Sequence, residues 1–147
     1  MSVIGFNFNK ISVERLGSKK GKLTISNNVG ISDVAEAKVP FSNEKTKCVK
    51  VDFKFESKYE PKVAQMSFEG DILYMVPVEA ADKLLKEWNE NKALVDDLVQ
   101  PIMNAILSRA NVEALLLSKE LGLPSPIPLP KVNVKPQPID KDGKNEE

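Results

Sequence analysis

The chain has 147 residues, 41% of them hydrophobic and 29% charged, with 21 basic and 21 acidic side chains and no net charge. That is the composition of one soluble globular domain long enough to bury a core. It has no histidine and one cysteine, Cys48, which excludes a histidine general base, a Ser-His-Asp triad, an intrachain disulfide and a cysteine-rich zinc site.

Charge is spread unevenly: residues 1–50 carry nine Lys/Arg against four Asp/Glu, and residues 51–147 carry twelve against seventeen. The basic excess is smaller than nucleic-acid domains usually show. No apolar run approaches the roughly 18 residues a bilayer span needs. The N-terminus lacks the charged-then-apolar order of a secretion signal. With so little cysteine, these features describe a protein of the reducing cytoplasm.

Ile4, Phe6 and Phe8 alternate as in a half-buried strand, and the apolar phase then moves to Ile11 and Val13. A change of phase within one strand predicts a bulge or bend near Asn9 and Lys10. Gly17 to Lys22 is a polar, glycine-bracketed turn. Leu23, Ile25, Val29 and Ile31 keep one phase and predict a second strand, interrupted near Asn27 and Asn28. Val39 to Lys47 is a loop.

Val49, Val51, Phe53 and Phe55 then face one way and Lys50, Asp52, Lys54 and Glu56 the other, which predicts a third strand. After a turn at Tyr59 to Lys62, Met66, Phe68, Gly70, Ile72, Tyr74 and Val76 make a fourth, antiparallel to the third. Leu73 and Met75 leave its far end apolar on both faces, as in a strand covered there or meeting a partner.

The period then becomes helical. Ala81, Leu84, Leu85 and Trp88 fall at i, i+3, i+4 and i+7, and Asn89 to Lys92 closes that helix. A second helical stretch spans about Leu94 to Leu121, and Pro101 within it predicts a kink or a new start. Asn111 reads as the cap of a further helix through Leu117. Leu121 to Val134 (LGLPSPIPLPKVNV) is too rich in proline for helix or central strand and too apolar for a free linker. It reads as an extended strap, either sealing its own core or joining an oligomer or binding groove.

The predicted architecture is therefore α+β: a four-stranded antiparallel meander sheet followed by C-terminal helices. One domain covers 1–136, with strands over about 3–76, helices over about 78–121 and the strap over 122–136. Residues 137–147 form a polar, disordered tail.

Catalytic chemistry is absent from the pattern. No glycine-rich phosphate loop occurs. Cys48 reads as a small strand residue. Asp96 and Asp97 fit the first turn of a helix, where they complement its dipole. Glu69 and Asp71 fall on the polar face of the fourth strand and read as solvated. No metal site and no cofactor is expected, and the chain reads as a non-enzyme. Lys19, Lys20 and Lys22 cluster in a turn that is either solubilising or an RNA contact.

Several segments match a known family in layout. Phe6 to Ile11 resembles the opening strand of the SecB family, of the form F-x-(I/F)-x-(R/K)-I. Val49 to Phe55 and Met66 to Tyr74 resemble its central hairpin. Ile106 to Ala110 resembles the end of its long helix, with Ser108-Arg109 before a small residue. Leu129 to Val134 resembles its strap. The chain differs in a shorter loop between strands two and three, an added helical piece over about Val112 to Leu121, and a tail without the family's acidic, glutamine-rich form.

This resemblance implies a holdase-type chaperone that binds unfolded or nascent polypeptides in an apolar groove, without ATP; the apolar far end of the fourth strand and the strap suggest a dimer or tetramer. The resemblance implies client contact at Phe53, Phe55, Phe68, Ile72, Tyr74 and Trp88, residues that by their pattern alone read first as core, with Met66, Met75 and Met103 as adaptable neighbours. The alternative is a ribosome- or RNA-associated protein that uses the basic N-terminal turn.

Overall fold

A computed structural model describes residues 2–18, 21–40, 43–94 and 96–128, without the side chains of 96–98. Four long strands come first: β1 Ser2–Arg15, β2 Thr24–Ala37, β3 Thr46–Glu60 and β4 Ala64–Pro77. Two helices follow, α1 Val78–Asn91 and α2 Asp96–Glu120. All strand pairings are antiparallel, as the α+β reading requires.

The strands do not lie in chain order. The sheet runs β1-β4-β3-β2, so the meander holds for β2 to β4 while β1 pairs with β4. The link between β1 and β2 makes this possible. It crosses the end of the β3–β4 hairpin, where the Leu16 and Gly17 N–H groups donate to the Val63 carbonyl at 2.8 and 3.1 Å. Crossing from β1 to β2 spans three strand spacings, about 14 Å, which eight residues cover easily.

The phase change in β1 is a bulge. Phe8 faces Gly70 and Lys10 faces Glu69, leaving Asn9 as the extra residue. A Cβ on Gly70 would run into the Asn7 carbonyl and come within 2.9 Å of the Phe53 ring. Only glycine lets β1 approach β4 there. β2 is one uninterrupted strand with a register shift between Ile31 and Asp33. The expected break at Asn27 and Asn28 is absent because both pair in register with β3.

One face of the sheet is covered and the other is charged. On the covered face Phe55 stacks on Phe68 at 5.5 Å, and Phe6 and Phe8 pack against Phe53. The other face carries the pairs Lys50–Asp52 and Lys54–Glu56 at 3.7 and 3.0 Å. Asp71 departs from the solvated reading. It is only 8% exposed, because the Asn7 and Asn9 amides at the bulge donate to its carboxylate.

In α1, Ala81, Leu84 and Trp88 are buried, and Trp88 Nε1 donates to Asp33 at 3.2 Å. Lys92, in the left-handed region at φ 52°, ends the helix and donates its N–H to the Trp88 carbonyl. α2 is one helix through both expected interruptions. Pro101 lies inside it, and its carbonyl accepts from the Tyr74 hydroxyl at 3.1 Å. Asn111 caps nothing. Ile102, Ile106, Ala110, Ala114 and Ser118 are all buried, an unbroken every-fourth-residue seam that keeps the helix on the sheet. The added helical piece is thus the second half of α2.

Candidate functional site

The six residues expected at a client groove are core. Phe53, Phe55, Phe68 and Ile72 are at most 1% exposed, and Tyr74 and Trp88 stay under 8%. α1 and α2 lie on the face where period-2 alternation places the aromatics, and that covering closes it. Met66 is buried with them, while Met75 and Met103 are half-buried. Lys22 is exposed; Lys19 and Lys20 lie outside the described residues, as do Leu129, Val132, Val134 and the tail.

The apolar surface that remains open lies elsewhere. Val3, Ile4, Ile11 and Leu16 on β1 and its link, and Val112 and Leu116 on α2, are the large hydrophobics left exposed among the described residues. β1 is also an edge strand, with one side of its backbone unpaired among the described residues. Between it and α2 lies a cleft of about 350 Å³ lined by Val3, Phe6, Ile72, Ala105, Ser108 and Arg109. The Arg109 guanidinium stands over the Phe6 ring at 5.3 Å. Farther along, Arg15 Nη1 donates to the Leu121 carbonyl at 3.1 Å. Ile11 on the strand and Val112 and Leu116 on the helix fall between these two contacts. The cleft is a trough beside a strand edge that is unpaired among the described residues, with Arg109 in its lining and exposed Ile11, Val112 and Leu116 farther along the two elements.

Sequence reasoning missed this trough. Its signal was present: Ile11 follows the bulge, and Val112 and Leu116 stand four apart, off the Ile102–Ser118 seam. The small residues of that seam, Ala110 and Ala114, are quiet in a hydrophobic count, whereas the leucines around them are loud.

The strap has a described beginning. Leu123 and Pro126 are buried and Ile127 is half-buried, and Leu123 joins the cluster of Phe55, Tyr59, Met66 and Phe68. Up to Pro128, therefore, the strap seals its own core. Tyr59 donates its hydroxyl to the Pro124 carbonyl at 2.6 Å, and Asn27 Nδ2 donates to the Pro126 carbonyl at 2.6 Å.

Burial sets the ionisation of the few candidate reactive groups. It pushes the Tyr59 phenol up to about 12 and raises Tyr74 as well, so both stay protonated donors at neutral pH. It also raises the Cys48 thiol, which is buried and so is held away from the reactive thiolate form. Among the described residues no three of His, Cys, Asp and Glu gather as a metal set. No helix among them is long and apolar enough to cross a membrane.

No known family model matches this chain, and no characterised protein matches it in sequence. Among solved structures it is similar to the SecB-like chaperone Rv1957 of Mycobacterium tuberculosis, in complex with a ChAD peptide from the Rv1956 HigA1 antitoxin. The likeness covers 92% of each chain with a TM-score of 0.53 and 15% sequence identity. It shows a SecB-like fold: a four-stranded antiparallel sheet followed by helices.

Proposed function

We propose that this chain is a polypeptide-binding protein of the holdase type. It binds non-native segments through apolar contacts, without ATP and without covalent chemistry, in the cytoplasm. The observation that carries this reading is the trough between β1 and α2, beside a strand edge unpaired among the described residues and near exposed aliphatic side chains on both elements. An extended segment pairs its backbone with β1 and lays alternate side chains against Phe6, Ile11 and Val112. Each contact is weak and indifferent to sequence, which suits a protein that takes many clients. The solved SecB-like relative, bound to a peptide, supports the reading by analogy of fold.

The five aromatic residues under the helices, with Ile72, serve this function as scaffold, since they hold the sheet against α2. A homo-oligomer belongs to the same proposal. Leu73 and Met75, half-buried on the otherwise charged face, and the exposed Ile4 offer an apolar patch for a second copy. Light scattering that reports the mass of a single chain across micromolar concentrations removes that part.

The main test is an aggregation assay with a chemically unfolded client. Suppression that is insensitive to salt is expected, because the trough is apolar. No suppression at several-fold molar excess overturns the proposal.

A further inference from the structure

Residues 121–128 cross one end of the covered face from β1 to β2, held by side chains from three strands. Arg15 on β1 donates to the carbonyl of Leu121 at 3.1 Å, Tyr59 on β3 to that of Pro124 at 2.6 Å, and Asn27 on β2 to that of Pro126 at 2.6 Å. Among the described residues, all three bonds reach main-chain carbonyls. An extended proline-containing chain offers carbonyls without intrachain partners and few N–H groups, so a bed of donors is what matches it. Leu123 and Pro126 supply the buried apolar contacts between these bonds.

One donor of the bed is set by a residue outside the strap. Ser57 is fully buried, and its hydroxyl donates to Asn27 Oδ1 at 2.7 Å. That bond occupies the amide oxygen and turns Nδ2 toward the strap. Burial holds Tyr59 as a proton donor over the whole physiological range.

We propose that this bed, built from Arg15, Asn27 and Tyr59, is a second peptide-binding cleft, selective for extended apolar segments that contain proline, and that the chain's own strap is its resident competitor. The cleft reads a line of carbonyls and two apolar insertions, so it accepts many sequences of that type. Its client role rests on the polypeptide-binding reading above; the cleft itself does not. A tethered strap stands at an effective concentration on the order of millimolar, so a segment in trans enters only when it binds well or when the strap is drawn away.

The probe is a fluorescent peptide of the strap sequence, LGLPSPIPLP, titrated by anisotropy against the full chain. Pro126→Asp places a charge where the strap is buried and unseats it. That variant is expected to bind the peptide at least tenfold more tightly than the original chain. Adding Tyr59→Phe and Asn27→Ala to it reverses the gain. Equal binding by Pro126→Asp and the original chain overturns the proposal, as does a gain that survives loss of both donors.

If Pro126→Asp fails to fold by circular dichroism, the original chain is titrated to millimolar peptide by NMR. Displacement then shifts the Asn27 side-chain amide and speeds exchange of the Leu123 N–H, which now donates to the Ser118 carbonyl. Unchanged Leu123 exchange overturns the proposal. Peptide binding without aggregation suppression removes the chaperone reading and leaves the cleft; suppression without peptide binding does the reverse.

Discussion

Two sets of apolar side chains divide this molecule. Phe53, Phe55, Phe68 and Ile72 sit at the centre of the sheet, under α1 and α2, and are at most 1% exposed. Val3, Ile4, Ile11 and Leu16 sit along β1 and its link and stay open to solvent, as do Val112 and Leu116 on α2. Their chemistry is alike; their place in the sheet differs. A central strand has neighbours on both sides and helices above it, whereas an edge strand has one neighbour and an incomplete cover. The large aromatic groups at the centre are buried in the core, whereas the smaller aliphatic groups at the edge stay exposed.

The largest effect should come from the centre. Phe55→Ala removes a ring that stacks on Phe68 and should cost about 3–5 kcal/mol, read as a lower midpoint in chemical denaturation. A cost below 1 kcal/mol would mean that the centre is not the scaffold.

Alkaline titration comes next. The Tyr59 phenol ionises near 10 in the unfolded chain and at about 12 in the folded one. Between those values only the unfolded state sheds the proton. Stability from this group is thus complete below pH 10 and falls as pH rises to about 12, by roughly 2–3 kcal/mol. The raised Tyr74 acts in the same direction. Denaturation midpoints at pH 9 and 11.5 measure the drop, and Tyr59→Phe should reduce it.

Gly70→Ala probes the seam between the two regions. Its Cβ would strike β1 at the bulge, at a cost of about 1–3 kcal/mol. A neutral result would mean that β1 moves aside freely.

The smallest effect on stability belongs to the edge. Ile11→Lys combined with Val112→Lys should change unfolding free energy by about 0.5 kcal/mol or less, yet weaken aggregation suppression severalfold. A loss of 2 kcal/mol would show that this edge belongs to the core.

Much of this contrast could not be read in advance. Alternation in β3 and β4 identified the inward residues but not whether anything covered them, so core and client groove both stayed open for the aromatic residues, which α1 and α2 cover. Asp71 looked solvated from its phase; its burial depends on Asn7 and Asn9, more than sixty positions away in the chain. The bulge at Asn9 was legible because a phase change leaves a mark in one strand. The second half of α2 was misjudged as a separate piece because Asn111 resembles a cap, while the packing seam runs through Ala110 and Ala114.

Local pattern by itself determined the order of strands and helices, the inward phase of each strand, the bend in β1 and the extended form expected of the proline-rich strap. These rest on backbone sterics and on periods of 2 and 3.6, which act over a few residues. Tertiary structure alone decided that β1 joins β4, that the aromatic face is closed, that the β1 edge stays open and that the strap lies on Tyr59 and Asn27. Those outcomes depend on which surfaces meet across 60 to 100 positions of chain, where the burial gained is shared by many residues and written in none of them.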